Sequence, residues 1–307
     1  MSRFPFPMPF GWFVAALVDD VPDGGAVGVS YLGTDLVVWS DGSQHRVFDA
    51  YCPHLGAHLA VGGRVEGNCL VCPFHEWTFD GDGRNVSIPY ADRPNRKARV
   101  RSYPTVVRNG RVFFWWHPDP SIEPQWEIPE LVPDDFVAAG AFEWRVRTAW
   151  QEVAENSVDM AHFTSVHGLT RPGDISDVTI DGPRRTIASS QSFNTARGPF
   201  EGAIEANSYG PGVGVTHFDL MGRATLLSCT TPVDEEQVHV RFAFFHSPDE
   251  IAAKITPRFA EEVRRQFEQD IPIWEVKRFV PTPALAPSEK AITEFRRWAG
   301  QFYALQA

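Results

Sequence analysis

The chain has 307 residues, 43 % hydrophobic and 13 % aromatic, which is enough to bury a real core and a natural size for two domains. A formal net charge of -11 disfavours nucleic acid, whose phosphates demand a basic surface, and no polybasic patch offers itself to anionic lipid. No apolar run approaches the ~20 residues of a membrane span. The Pro-interrupted start MSRFPFPMPFGWF does not read as a signal peptide, and four cysteines are too few for a disulfide framework. In a reducing cytoplasm they are expected as thiols or metal ligands.

Residues 12–116 read as short β-segments. AVGVSYLGTDLVVWS, RVFDAYC, NCLVCPF and GRVFFWWH are strand-like and separated by Asp-Gly, Gly-Gly and Asn-Gly turn signals. A small all-β domain, residues 1–118, is expected. HPDPSIEPQWEIPELVPDD (His117–Asp135) carries five prolines and little periodicity, and reads as a linker. The second half, residues 119–307, mixes classes. Strand-like alternation appears in GAFEWRVRTAWQ, in TTPVDEEQVHVRFAFFH and around 186–208. Helical periodicity appears in 152–165, in 257–278 and from Ser288 onward. The expectation is an α+β chain whose second domain is an antiparallel sheet with helices packed on it.

Cys52-Pro-His54 is followed after seventeen residues by Cys72-Pro-Phe-His75. Each Cys precedes a Pro and sits in a loop after a β-segment, with Gly56, Gly62 and Gly63 giving the chain freedom to wrap an object. Two Cys-plus-His loops match a Rieske [2Fe–2S] centre, in which two thiolates hold one iron and two imidazoles the other. A structural Cys2His2 zinc site would use the same four residues. Cys69-Leu-Val-Cys72 is also a CxxC, but on a strand that spacing points the thiols to opposite faces. His58, four after His54, reads as a loop-packing residue.

On a helix through 152–165, Glu152, Glu155, Asn156, Asp159, His162 and Phe163 fall on one arc of about a third of the circumference. A solvated polar face is the plain explanation of such a stripe. His167 argues against it. On a continuous helix it would lie ~140° from His162, too far round to share an ion. Gly168 lets the helix end or bulge between them, so that His167 swings back. Two imidazoles want a carboxylate to complete a 2-His-1-carboxylate set for Fe(II). In PRFAEEVRRQFEQDIPIWEVKRF, Phe259, Val263, Phe267, Ile271 and Trp274 form an apolar stripe and Asp270 projects from within it. A carboxylate facing a core is costly unless paired or metal-bound. Asp270 is the expected third ligand; the alternative is a core Asp paired with Arg147 or Arg241.

These residues resemble the oxygenase component of Rieske non-haem iron oxygenases over nearly the whole chain: the opening GWF, the cluster loops, ENSVDMAHFTSVHG and QDIPIWEVKRF stand in the same order. The resemblance implies a β Rieske domain followed by a helix-grip catalytic domain, usually as a head-to-tail homotrimer. It implies a [2Fe–2S] cluster on Cys52, His54, Cys72 and His75, and a mononuclear Fe(II) on His162, His167 and Asp270. Asp159 would link His162 to a cluster histidine, His75 of the neighbouring subunit, and Asn156 matches a position close to the iron. An NAD(P)H-dependent reductase, with or without a ferredoxin, would supply electrons in the cytoplasm.

GGRVEGNCLVCPFHEWTFDGDGRNVSIPYA is similar to the branch containing 3-ketosteroid 9α-hydroxylases and cholesterol 7-desaturases. The implied activity is hydroxylation or desaturation of an apolar, polycyclic, steroid-like substrate. An O- or N-demethylase or an oxidative cyclase of the same family would differ only in its pocket. A Rieske electron carrier without oxygenase activity would lack use for the second set of ligands. Strands between Thr186 and His246 should line the pocket, with Val213, Val215, Phe218, Leu220, Leu226, Phe242 and Phe244 as candidates. No basic pair dedicated to a carboxylate is evident, and His217, His239 and His246 read as structural or pocket-lining rather than as ligands.

Overall fold

A computed structural model describes residues 3–169, 174–195, 198–220 and 222–304. The chain forms two compact units, Trp12–Pro129 and Met1–Gly11 with Glu130–Ala307.

The unit Trp12–Pro129 is built of short strands: β1 (Gly11–Leu17), β2 (Ala26–Tyr31), β3 (Thr34–Ser40), β4 (His45–Asp49), β5 (Arg64–Glu66), β6 (Cys69–Val71), β7 (Thr78–Phe79), β8 (Asn85–Ser87), β9 (Ser102–Tyr103), β10 (Thr105–Arg108) and β11 (Arg111–Trp116). They make three sheets, ordered β1-β11-β10, β2-β3-β4-β9 and β5-β6-β7-β8. Asn109 and Gly110 take φ of 44° and 71° between the paired ends Arg108 and Arg111. Two left-handed residues are what a two-residue hairpin needs to match strand twist. AVGVSYLGTDLVVWS is itself a hairpin, turning at Leu32 and Gly33 with φ of 56° and 72°. Leucine is a poor cue for that conformation. Trp39, Phe48, Leu59, Leu70 and Phe79 form the core, and Cys52 and Cys72 belong to the same cluster. The Pro-rich stretch has no regular strand or helix, yet its Trp126 packs edge-on to Trp115 at 4.7 Å and its carbonyl accepts from Trp12 Nε1 at 2.7 Å.

The other unit carries β12 (Val137–Val146), α1 (Trp150–Glu155), α2 (His162–Ser165), β13 (Asp174–Asp181), β14 (Arg184–Thr195), β15 (Gly198–Tyr209), β16 (Val213–Leu220), β17 (Gly222–Pro232), β18 (Val238–His246), α3 (Glu250–Trp274) and α4 (Lys290–Ala299). Its antiparallel sheet runs β12-β18-β17-β16-β15-β14-β13. The order of a β domain followed by an antiparallel sheet with helices is the α+β arrangement expected. α3 lies along β12, β18 and β17. Its Phe259, Ala260 and Val263 pack with Phe218, Ala224, Leu226 and Phe244, and its Phe267 meets Trp144 at 4.5 Å and Phe242 at 4.9 Å. α3 starts at Glu250, not at 257 as its periodicity suggested, because the Asp249 carboxylate accepts from the N–H groups of Ile251 and Ala252 at 3.1 and 2.8 Å. Pro257 and Pro272 both lie within it.

The continuous helix expected over 152–165 is not formed. Residues 156–161 are turns between α1 and α2. α1 is tied to the C-terminal part of the chain: Glu155 takes a two-pronged pair from Arg296 of α4 at 2.6 and 2.9 Å, and buried Glu152 pairs with Lys277 at 2.7 Å. Trp150 packs against Phe302 at 6.2 Å and Tyr303 at 6.3 Å. These anchors orient α1 separately from the segment after it. Glu152 and Glu155 therefore do not share a face with His162.

Candidate functional site

Two centres arise, one in each unit. In the β unit, the loops after Tyr51 and after β6 are closed by the same pair of backbone bonds. Cys52 N–H donates to Ala57 O and Gly56 N–H to Cys52 O, both at 2.9 Å; Cys72 N–H donates to Trp77 O at 2.9 Å and Glu76 N–H to Cys72 O at 3.1 Å. The residue four after each Cys takes positive φ, Gly56 at 75° and Glu76 at 57°. A non-glycine there is strained. Its carboxylate pairs with Arg64 at 3.1 Å. At Gly63 an added Cβ would stand 1.9 Å from Leu59 O, so the chain must be bare there to close over the first loop.

The loops bring Cys52, His54, Cys72 and His75 together. The Cys52 thiol lies beside that of Cys72, and burial, with that neighbour adding, pushes Cys52 up to about 11. Two adjacent buried thiols are costly to ionise unless a cation sits between them. The rings of His54 and His75 are 4.6 Å apart. Their Nδ1 atoms are both buried and without a hydrogen-bond partner among the described residues. Buried polar atoms seldom lack a partner; two sulfurs and two orphaned ring nitrogens facing inward are a donor set that fits a Rieske cluster. Trp77 stacks on His54 at 4.3 Å and fixes its plane. Cys69 is apart from this group, with Asn68 Oδ1 3.5 Å from its sulfur. His58 packs edge-on to Tyr51 at 5.2 Å and its Nδ1 accepts from Ala60 N–H at 3.2 Å, so it is a loop-packing residue.

In the other unit, His162, His167 and Asp270 each offer a ligand atom, all within 4.8 Å of one another. Asp270, on α3, is 7 % exposed. Its Oδ2 stands 4.0 Å from His162 Nε2 and 3.5 Å from His167 Nε2. Burial raises the Asp270 pKa, opposed by the two imidazoles. Neither Arg147 nor Arg241 pairs with it: Arg241 faces Glu143 at 3.7 Å. Gly168, at φ 70°, follows the turn that carries His167 back toward His162. The other nitrogen of each ring is held. His162 Nδ1 meets the carbonyl of Asp159, and His167 Nδ1 meets Gln269 Oε1 at 3.0 Å. Rings fixed at Nδ1 with Nε2 presented is the form in which imidazoles ligate metals. Asn156 Nδ2 donates to Asp270 Oδ2 at 2.9 Å and lies 3.4 Å from His162 Nε2. The Asp159 carboxylate is 3.9 Å from His162 Nδ1 and partly exposed.

Asn156, His162, His167 and Asp270 form part of the wall of a cavity of about 280 Å³, mainly apolar, whose other walls include Val213, Leu226, Phe242, Val263 and Phe267. Three of the expected pocket residues, Val213, Leu226 and Phe242, therefore line it. Val215, Phe218 and Phe244 do not: all three are buried, and Phe218 and Phe244 pack on Phe259 of α3 at 4.7 and 6.4 Å. The Leu220 side chain lies outside the described residues. His217, His239 and His246 are bonded to Thr225, Glu143 and the Ser247 carbonyl, and none of them lines the cavity.

Comparison with known proteins decides the family. Residues 11–104 match the Rieske [2Fe-2S] domain model, and residues 114–303 match the 3-Ketosteroid 9alpha-hydroxylase C-terminal domain model. The chain belongs to the Rieske oxygenases, in the branch of 3-ketosteroid 9α-hydroxylases and cholesterol 7-desaturases. This Rieske oxygenase is 33 % identical to Cholesterol 7-desaturase nvd of Xenopus laevis, over 96 % of this chain and 72 % of that one. It is 31 % identical to the oxygenase component of 3-ketosteroid-9-alpha-monooxygenase of Mycolicibacterium smegmatis, over 95 % and 82 %. Solved dicamba monooxygenase with non-heme iron and dicamba has the same fold, at a TM-score of 0.67 and 19 % identity, covering 95 % of this chain and 96 % of that chain. The chain is thus an oxidoreductase with a Rieske [2Fe–2S] domain. No helix among the described residues is long and apolar enough to cross a membrane.

Three neighbours escaped the sequence reading. Trp77 carried a partial signal, as an aromatic two residues after His75. Gln269 and Arg185, the latter in the cavity wall, carried none, because a lone amide on a helix and one of two adjacent arginines on a strand say nothing of what they face.

Proposed function

We propose that this Rieske oxygenase hydroxylates or desaturates an apolar, steroid-like substrate, using O2 and electrons that a reductase draws from NAD(P)H. The observation that carries the reading is the convergence of His162, His167 and Asp270 on the wall of an apolar cavity. In this reading residues 1–118 form the Rieske domain and 119–307 the catalytic domain, with Cys52, His54, Cys72 and His75 holding the cluster. His162, His167 and Asp270 would hold a mononuclear iron for O2 activation, and the cluster would supply it with electrons one at a time. Hydroxylation consumes two electrons and two protons, inserts one oxygen atom into a C–H bond and releases the other as water.

The chain's own residues prepare this chemistry. Gln269 and the Asp159 carbonyl fix the imidazoles so that both Nε2 atoms face Asp270. Asn156 orients the Asp270 carboxylate by donating to Oδ2. Leu226, Phe242 and Phe267 keep the surroundings apolar, which excludes water and favours burial of fused rings. The partly exposed Asp159 carboxylate, 3.9 Å from His162 Nδ1, supports a role in passing electrons from a cluster histidine of another copy in a homotrimer. The relatives named for cholesterol and for 3-ketosteroids support the substrate class.

The test is substrate-dependent O2 uptake by iron-loaded protein with a reductase and NAD(P)H, over a panel of 3-ketosteroids and sterols. A product that gains one oxygen or loses two hydrogens at a ring carbon is the expected result. A panel that stimulates no O2 uptake overturns the substrate class.

A further inference from the structure

Arg185 stands near the start of β14, opposite Ser208 of β15, and forms part of the wall of the same cavity as His162, His167 and Asp270. It is 2 % exposed. Its Nη2 donates to Ser157 Oγ at 2.8 Å, and its guanidinium lies over the rings of Phe295 at 4.7 Å and Trp298 at 4.9 Å. Nε and Nη1 have no hydrogen-bond partner among the described residues. Burial lowers its pKa, to about 10, with no carboxylate among the described residues acting on it.

Arginines with a structural task in this unit look different. Arg296 meets Glu155 on two nitrogens, and Arg3 meets Glu236 and three backbone carbonyls. A buried charge is ordinarily paired, because taking it out of water is costly. Stacking on Phe295 and Trp298 returns part of that cost, but an aromatic face is a weak substitute for a counter-ion. Asp270 is the carboxylate among the described wall residues, and it is engaged by His162, His167 and Asn156. A divalent cation held by those ligands would leave the cavity more positive still. In an apolar, water-poor enclosure such a charge acts across the whole space.

We infer that Arg185, with the Ser157 hydroxyl beside it, selects a substrate that carries a carboxylate on an otherwise apolar ring body. Ser157 also lines the cavity, and its hydroxyl already donates to Ala154 O at 2.7 Å while accepting from Arg185, so it holds the guanidinium in place. The carboxylate supplies the missing counter-charge, acting on the guanidinium across the apolar cavity. Val213, Leu226 and Phe242 take the rings. The inference deepens the proposed function and rests on its assignment of this cavity to the substrate.

The test compares acids with their uncharged primary amides in three frameworks: a steroid with a carboxylic side chain, a naphthoic acid and a benzoic acid. Binding is measured by calorimetry to the cluster-containing full chain, with no turnover required. The acid should bind at least about tenfold more tightly than its amide in one framework or more. Arg185→Met, which keeps an unbranched stem and removes the charge, should abolish that preference while leaving the cluster spectrum intact. Equal binding of acid and amide in every framework overturns the inference, as does a preference that survives in folded Arg185→Met. Where Arg185→Met does not fold, the wild-type acid and amide pairs decide alone. An acid preference confined to naphthoic or benzoic compounds supports the Arg185 assignment and removes the steroid class. Steroid amides that bind as well as steroid acids, with no acid preference in the other two frameworks, do the reverse.

Discussion

Replacing Gln269 by Ala isolates one side chain that no ligand motif contains. Its Oε1 accepts from His167 Nδ1 at 3.0 Å, and the His167 side chain is 2 % exposed. Water does not easily replace the lost acceptor at that depth. A hydrogen bond exchanged for one to water is worth ~0.5–1.5 kcal/mol, but a buried donor left unsatisfied costs ~1–3 kcal/mol, and burial selects the larger figure. Outer partners of metal-bound histidines typically govern affinity by ~10–100-fold, or ~1.4–2.8 kcal/mol, so two independent estimates agree. Iron affinity of Gln269→Ala should fall by that factor in a competition against a coloured chelator. The cluster's visible spectrum, which reports on the other unit, should not change. Gln269→Glu, which keeps an acceptor, should restore most of the affinity. A folded Gln269→Ala protein with unaltered iron affinity would refute the argument that His167 is oriented from α3.

Cys52→Ser or His75→Ala should bleach the visible bands and abolish the Rieske EPR signal, since each removes an inward donor; a persisting signal would remove these residues from the cluster. Phe244→Ala and Phe242→Ala should part company. Phe244 is fully buried beneath α3 and its loss should cost ~3–5 kcal/mol in a urea titration, whereas Phe242 forms cavity wall and its loss should also weaken ligand binding. Equal effects of the two on ligand affinity at matched stability would show that the wall is drawn wrongly. Stability should also depend on His239, whose imidazole burial, followed by repulsion from Arg241, pushes down from 6.5 to about 4 despite Glu143 at 3.2 Å. Between those values the unfolded chain binds a proton that the folded chain refuses, so stability falls as pH drops from 6.5 to about 4 and the contribution is whole above 6.5. His239→Gln should flatten that part of the profile of urea midpoint against pH; an unchanged slope would assign it to other groups.

What the sequence disclosed and what it hid follow from how local each constraint is. The proposed ligation demands particular atoms at short reach, so Cys52, His54, Cys72 and His75 stand out by spacing within two loops. The same holds for His162 and His167, brought together by one turn ahead of Gly168. Asp270 was legible for a different reason: an acid within the apolar stripe of α3 contradicts the pattern around it, and such a contradiction usually marks function. The wheel drawn through 152–165 failed because it assumes one unbroken axis. Nothing in those residues foretells that Arg296 and Lys277, more than a hundred positions away, take hold of Glu155 and Glu152 and stop α1 short. The pocket was half legible on similar grounds. Alternation told which strand residues point away from solvent, but β17 and β18 face α3 along one part of their length and the cavity along another. Phe242 of β18 became wall and Phe244 core, Phe218 of the neighbouring β16 became core, and Leu226 of β17 serves both. Arg185 lies at the far end of this scale. Its meaning depends on the absence of an acid among its described neighbours, and a missing contact leaves no mark in the sequence.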